Sequence, residues 1–344
     1  MDVIGERAFM GCTSLEKLHV PSSMHEGAFM NCTGLKSVTI AGGLTLPDYA
    51  FSGCTSLQSV ELPQGTDLGA SVFENCTSLQ TVSMPWTFHI GDRAFAGCAS
   101  LGTVAFPENL ITIGAGAFEN CVMLTQVTLP ASVSSVGAGA FAGCTALESA
   151  DFSAAKIASI EQNTFNGCAS LESVKLPYYS SFYIMEKAFE GCVSLTEIAL
   201  PGLHNSIGER AFAGCDLLQR VLLSDNDSTI SLSAYAFENC KSLEFIDFGK
   251  ISKICEGAFY GCEKIYEAEI AESTYVFSGA FKGCTGLETV KISRNVERIE
   301  KGIFEGCDKL TTVIIDGTQA QWESAEKDPE WAFGANNFTL YFTA

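Results

Sequence analysis

The chain has 344 residues, 47% of them hydrophobic and 17% charged, with 20 Lys and Arg against 40 Asp and Glu for a formal charge of −20. That apolar content excludes a disordered chain, which needs low hydrophobicity and dense charge, and no stretch approaches the roughly 18 uncharged apolar residues of a membrane-spanning helix. A field of this sign repels phosphate backbones and anionic headgroups, so nucleic acid and membrane surfaces are disfavoured, and basic or neutral partners fit.

Length alone suggests two domains, but the cysteines overrule it. From the N-terminus they run Cys12, Cys32, Cys54, Cys76, Cys98, Cys121, Cys144, Cys168, Cys192, Cys215, Cys240, Cys262, Cys284 and Cys307, a mean spacing of 22.7 residues, with Cys255 alone out of step. A fixed period of this size marks a repeat architecture. Phe stands three residues before every cysteine of the series, from Phe9 to Phe304, and an apolar residue stands five before that Phe, as in Ile4, Ile113 and Ile299. Gly or Asn immediately precedes the cysteine, and Leu (Ile265 once) follows at plus three. Val is usual at plus six, an apolar residue is constant at plus eight, and Pro is common at plus nine, as in Pro63, Pro107 and Pro177.

Each part of this unit has a physical reading. Leu171 to Leu176 ends with the period-two alternation of a strand, and the proline that follows cannot donate to a ladder and stops it. Gly or Asn before the cysteine suits a corner with positive φ. One such unit cannot bury its apolar side alone, so neighbours must stack, their strands pairing in parallel at about 4.8 Å. The expected fold is a right-handed solenoid of β-dominated coils, with one curved parallel sheet on its concave face and short turns or 3-10 segments elsewhere. Ala150 and Ala268 replace Val at plus six, and the repeats near Ser153, Ser224, Gly249 and Ala271 lack the proline; looser packing is expected there.

Leu-x-x-Leu-x-Leu is the leucine-rich-repeat core. With Pro after the strand and Ala-Phe-x-x-Cys closing each coil, residues 1–316 resemble the BspA-like (Treponema pallidum-type) leucine-rich repeats in 14 copies. The resemblance implies a secreted or cell-surface protein, with adhesion and binding of host or matrix proteins as its role. It also implies that residues 317–344 form a C-terminal cap. Thr318 to Gln321 reads as a capping box opening a short helix, Trp322 and Ala325 face inward, and Phe338 to Phe342 makes a last strand. At the other end Ile4 already sits mid-repeat, with no polar starter unit and no signal segment, so the natural protein is expected to extend upstream of Met1.

Candidate chemistry is sparse. Buried free cysteine behaves as a small hydrophobe, and that explains the ladder better than metal, redox or disulfide chemistry. There is no C-x-x-C pair, and His19, His25, His89 and His204 lack zinc-ligand spacing. Cys255, where Gly is usual, is the thiol best placed for reactivity, though the reading as a small hydrophobe is favoured there too. The Phe ladder reads as core, with rings stacking offset. No nucleophile elbow, Walker loop, HEXXH or dinucleotide fingerprint occurs, so no enzyme and no cofactor is expected. Asp225-Asn-Asp227-Ser could offer oxygens to calcium, yet a turn rich in Asp and Asn needs no metal to explain it. Sequons at Asn31, Asn75, Asn226 and Asn337 are noted; the first two occupy the corner beside the cysteine.

The surface able to bind is the set of outward strand positions, plus five and plus seven. In chain order these include Ser149 and Asp151, Ser173 and Lys175, Glu197, Arg220, Phe245 and Asp247, and Glu267 and Glu269. Arg and aromatic residues anchor protein interfaces, while solvated strand positions look much the same. Two segments just past the strand, Trp86-Thr-Phe88-His89 and Tyr178-Tyr179-Ser-Ser-Phe182-Tyr183, offer contact surfaces or pack over the turns. The expected function is a non-enzymatic scaffold that binds a protein through its concave face, as a monomer. The alternatives are a structural spacer and carbohydrate binding at Tyr178–Tyr183.

Overall fold

The computed structural model describes residues 3–20, 23–41, 45–178, 182–200, 203–223, 229–335 and 337–343, with side chains of 203–205 excepted. The chain divides into two compact units, Met1–Pro177 and Tyr178–Ala344. Each is a stack of coils whose strands pair only in parallel with the coil before and the coil after.

In the first unit, the Leu-x-x-Val-x-Leu segments give strands Lys17–Val20, Ser37–Ile40, Ser59–Glu61 and Thr81–Ser83, then Gln126–Thr128, Ser149–Asp151 and Ser173–Lys175. In the second they give Glu197–Leu200, Arg220–Leu223 and Phe245–Ile246, then Glu267–Ile270, Thr289–Ser293 and Thr312–Asp316. The plus-six residue faces inward in each strand and its neighbours face out, as the period of two requires. Where one sheet is expected, this face is broken. The coil at 99–107 contributes no strand, and Phe245–Ile246 does not pair with Glu267–Ile270.

A second ladder runs on another side of the coils. It uses the apolar residue five ahead of each Phe, pairing Ile90 with Ile113 and Ile113 with Val136 in the first unit. In the second unit it pairs Ile207 with Leu232, Leu232 with Ile254 and Ile254 with Val276. These strands are only two to five residues long, too short to show alternation in the sequence.

Between the ladders lies the core. Phe29 through Phe165 in the first unit and Phe189 through Phe281 in the second are buried and stacked on their neighbours within each unit at 5.2–5.9 Å between centroids. Each such pair adds roughly 0.5–1.5 kcal/mol beyond area burial. Phe9, the first ring of the stack, is 44% exposed. The cysteine beside each ring has a definite job. Its Sγ donates to the Phe carbonyl one coil earlier, as from Cys98 to Phe73 (3.1 Å) and from Cys262 to Phe237 (3.1 Å). A thiol is a donor small enough to be buried at that spot, and burial pushes Cys54 and Cys144 up to about 12.

The residue before every cysteine of the series has positive φ, from Gly11 (72°) to Gly306 (73°), with Asn31, Asn75, Asn120 and Asn239 at 57–60°. After each of these Asn, the next coil has Gly at the same place. A Cβ on Gly53 (φ 74°) would lie 2.2 Å from the Asn31 Oδ1, which favours Gly after Asn in the stack. A second left-handed position, two before each Phe, was not evident in the sequence because it holds Arg7, Tyr49, Ser71, Arg93, Asn163, Lys187, Arg210 or Tyr235 in eight coils and Gly in the rest. Two of these arginines clamp three coils. Arg93 meets Glu74 of the coil before (2.8 Å) and Glu119 of the coil after, and Arg210 meets Glu190 (2.8 Å) and Glu238 in the same way.

Packing at the Ala substitutions is closed. Ala150 is 2% exposed, and Phe152 at plus eight of the same coil packs against Phe141 and Phe165 at 6.0 and 5.4 Å. The larger ring fills what the smaller residue vacates. At the C-terminal end, Thr318 caps the helix Gln319–Ser324 through a reciprocal box with Gln321, and Trp322 on it is buried. Trp331 meets Phe304 and Trp322 edge-on at 6.0 and 5.4 Å, ending the ring stack, while Thr339–Phe342 pairs with Thr312–Asp316. Ala325 is half-buried as the residue closing the helix.

Candidate functional site

The outward strand positions of the second unit converge on one hollow. Glu197, Arg220 and Phe245 stand in register on three adjacent strands. Arg220 Nε pairs with Glu197 (3.2 Å), and its guanidinium lies over the Phe245 ring, 5.4 Å from the centroid. On the other side of Phe245 the ladder breaks and a groove of about 490 Å³ opens, lined by Phe245, Asp247, Phe248, Tyr266, Glu267 and Glu269.

The break coincides with a local change of turn. At plus eight this coil carries Phe248, whose ring turns inward to meet Phe259 (5.4 Å) and Phe281 (6.0 Å). Phe259 belongs to the coil in which Ala268 replaces Val, so the smaller side chain stands where the extra ring is accommodated. In place of the proline turn, Asp247 caps a 3-10 turn, Phe248–Lys250, by accepting from the Gly249 N–H at 3.1 Å. The strand stops at Ile246, and the next one, Glu267–Ile270, is left without a neighbour on that edge.

The electrostatics of the groove are lopsided. Glu244, Asp247, Glu267 and Glu269 line it with a single ammonium, Lys291, which stands in register with Glu269. Glu244 is engaged by Lys264 at 3.5 Å. The side chains of Glu267 and Glu269 are exposed and take no ion pair or side-chain hydrogen bond among the described residues. Phe245 and Tyr266 are 48% and 45% exposed. This arrangement presents aromatic faces beside free carboxylates, which suits recognition and offers no acid–base pair set apart by environment.

Four of the sequence-predicted residues, Phe245, Asp247, Glu267 and Glu269, thus line one groove, and Arg220 and Glu197 extend it. The others lie elsewhere. Lys175, on the first unit, is paired with Asp151 at 3.2 Å. Trp86 is half-exposed, but Phe88 and His89 belong to the second ladder's side. Their backbone N–H groups donate to Asp67 Oδ1 (2.8 and 2.9 Å), and the His89 ring contacts Thr112 Oγ1 at 2.9 Å, so this segment ties coils together. Phe182 requires correction: it is buried in strand Phe182–Ile184 and offers nothing to a ligand, because its position falls on the inward side of the second ladder. Tyr183 is half-buried, Tyr178 is exposed, and Tyr179 lies outside the described residues, as do Asp225, Asn226 and Asp227. Cys255 is half-buried and its thiol is pushed up by that burial, against nucleophilic reactivity. Sequence reasoning missed Tyr266, Phe248 and Lys291. Phe at plus eight with no proline after it, followed one coil later by Ala at plus six, is the pattern that would have found them.

A second hollow, on the corner side of the same unit, is lined by Tyr235, Tyr260, Lys282, Lys301, Glu305 and Phe333. Its charges are satisfied within the chain, Lys282 by Glu305 (2.9 Å) and Lys301 by Glu330 (2.6 Å). Among the described residues no three His, Cys, Asp or Glu side chains are grouped to hold a metal ion, and no helix is long and apolar enough to cross a membrane.

The family model of the BspA type leucine rich repeat region matches residues 1–98, 88–219 and 218–325. The chain belongs to the BspA-type leucine-rich-repeat family. Among solved structures, it is similar to a leucine-rich repeat protein from Bacteroides ovatus, at 24% identity over 98% of this chain and 87% of that one with a TM-score of 0.70. It is also similar to a leucine rich cell surface protein from Faecalibacterium prausnitzii, at 25% identity over 95% and 86% with a TM-score of 0.50. The Treponema pallidum leucine rich repeat protein matches at 25% identity over 63% of this chain and 71% of that one, with a TM-score of 0.30. No curated protein matches the chain. The protein is therefore a leucine-rich-repeat scaffold of stacked parallel coils, the kind of array that generally serves protein interaction.

Proposed function

We propose that this BspA-type protein is a non-enzymatic binding scaffold of the cell surface or extracellular space, with residues 1–316 as its coil array and 317–344 as its cap. It engages a protein partner, of host or matrix origin, through the strand face of residues 178–344. The observation that carries this reading is the groove at the ladder break, where Phe245 and Tyr266 stay exposed beside the unpaired Glu267 and Glu269. Half-exposed aromatic rings beside unpaired charges are the surface groups that anchor interfaces. Stacked coils hold these groups in place beforehand, so binding loses little backbone entropy. The cell-surface location draws support from the family and from the Faecalibacterium relative.

The test is a pull-down from matrix and host-cell-surface extracts with the wild type beside the variant Arg220→Ala, Phe245→Ala, Glu267→Lys, Glu269→Lys. A partner held by the wild type and lost by a variant of unchanged melting temperature supports the reading. Equal retention by both, or none by either, transfers the role to that of a structural spacer. The carbohydrate alternative at Tyr178–Tyr183 is narrowed, since Phe182 is turned into the core while Tyr178 is exposed.

A further inference from the structure

We infer that the groove between Phe245–Gly249 and Tyr266–Glu269 receives a cationic side chain, arginine or lysine, projecting from a basic segment of the partner. This rests on the protein-binding reading and specifies its chemistry. Three observations meet here. The first is shape: the ladder break leaves a hollow rather than a flat sheet, bounded by the 3-10 turn on one side and strand Glu267–Ile270 on the other. The second is charge: of the four carboxylates lining the hollow, Glu244 is engaged by Lys264, while Glu267 and Glu269 have no partner among the described residues. On a chain with a formal charge of −20, that is a local excess within a general one.

The third observation concerns the rings. A ring face attracts a cation placed within about 6 Å of its centre. Phe245 already does this inside the molecule, with Arg220 seated over it from the preceding coil at 5.4 Å. Arg220 approaches from the strand before, while the groove lies toward the coil after, where Tyr266 and Glu267 stand. The incoming cation completes on that side, with the Glu267 and Glu269 carboxylates, what Arg220 makes with Glu197 and Phe245 on the other. The aliphatic stem of lysine or arginine covers the apolar part of Phe245 and Tyr266 while its head stays with the carboxylates.

Long-range attraction to an acidic protein must be separated from occupancy of this groove. The probe is a short fluorescent peptide of alternating arginine and serine, compared with the same peptide carrying neutral citrulline for arginine. Both are titrated at about 0.15 M salt, where screening acts beyond about 8 Å. Glu267→Gln with Glu269→Gln removes two charges at the groove; Glu61→Gln with Glu172→Gln removes two from the first unit. Phe245→Leu keeps an apolar side chain and removes the ring. The expected result is tighter binding of the arginine peptide than of the citrulline peptide. The groove pair should weaken it roughly tenfold, Phe245→Leu should weaken it several-fold, and the remote pair less than about twofold. Equal weakening by both pairs, or equal binding of the two peptides, overturns the inference, and so does calcium ion displacing the peptide from wild type alone. If a captured protein is lost on the four-substitution variant yet the arginine peptide does not compete for it, the scaffold reading stands and this inference fails. If the peptide binds as expected but no protein is captured, the groove chemistry stands and the scaffold reading fails.

Discussion

On the first unit, most outward positions of the strand face are uncharged, as at Ser37, Thr39, Ser59, Thr81, Ser83, Gln126 and Thr128, with Lys17, Glu61, Asp151 and Lys175 the charged ones; on the second, Glu197, Arg220, Asp247, Glu267, Glu269 and Lys291 are charged and Phe245 is aromatic. Residues 1–177 carry 6 of the 20 Lys and Arg and 15 of the 40 Asp and Glu, so the second unit is nearly twice as densely charged. Beneath that difference the two interiors match. Their rings stack at 5.2–5.9 Å in the first unit and 5.2–5.6 Å in the second, and both repeat the thiol-to-carbonyl bond and the three-coil arginine clamp. A stack constrains only what points into it. The inward positions are held to one chemistry by the coil above and the coil below, while the outward ones are free to diverge, and in this protein they diverge by unit.

If the interiors are equivalent, conditions that attack the core must act on both units alike. The largest effect is expected from alkali. Burial holds the thiols of Cys54 and Cys144 in the first unit, and of Cys307 in the second, at about 12 against an ordinary 9.0. The folded state therefore keeps a proton that the unfolded chain has lost. Stability is fully present below about pH 9 and falls as pH rises toward about 12, by about 1.4 kcal/mol per thiol for each pH unit. Urea midpoints at about pH 8 and about pH 10 should differ steeply, and one unit melting well before the other as pH rises would break the equivalence. Next in size, Phe141→Ala and Phe212→Ala should each cost roughly 3–5 kcal/mol in denaturant titrations, because both rings are buried between stacked neighbours.

Smaller changes sharpen the comparison at the corners. Arg93→Ala and Arg210→Ala should each cost only about 1 kcal/mol, since the guanidinium side chains are 48% and 35% exposed and solvent screens them. Lys187 sits at φ 55°, so Lys187→Gly should raise stability by about 1 kcal/mol, visible as a small upward shift in melting temperature.

Much of this was readable in the sequence. The period in Phe, Cys and Leu sets the coil, and the Gly or Asn before cysteine sets the first corner, because each is a chemical demand repeated in every coil. The second ladder was half visible. Ile4, Ile113 and Ile299 mark its inward residue, but strands as short as Thr112–Ile113 leave no alternation to read. The second left-handed corner was invisible because the stack imposes it on Arg, Tyr and Lys without selecting for Gly. At the site, period two placed Phe245, Asp247, Glu267 and Glu269 outward correctly. That they surround a hollow goes with Phe248 turning inward over Phe259 and Phe281, a tertiary event whose only signs in the sequence are a Phe without a following proline and Ala268 one coil later. Phe182 was misread for the same reason. An aromatic-rich run looks like a contact surface until the second ladder shows which of its residues face in.

The central claim is that recognition belongs to the strand face of the second unit and not to the equivalent face of the first. The direct measurement is partner binding by two charge-matched variants of the whole chain, each checked for unchanged melting temperature. One carries Glu267→Lys and Glu269→Lys, the other Glu16→Lys and Glu61→Lys, which add the same charge to the first unit; a third, Ser59→Lys and Ser83→Lys with Lys17→Gln and Lys175→Gln, moves lysines on the first unit's face without changing its net charge. Loss of binding by at least about tenfold in the Glu267 and Glu269 variant, with both first-unit variants within about twofold of wild type, is the predicted result. Equal loss in the Glu16 and Glu61 variant, or no loss in any, would contradict it.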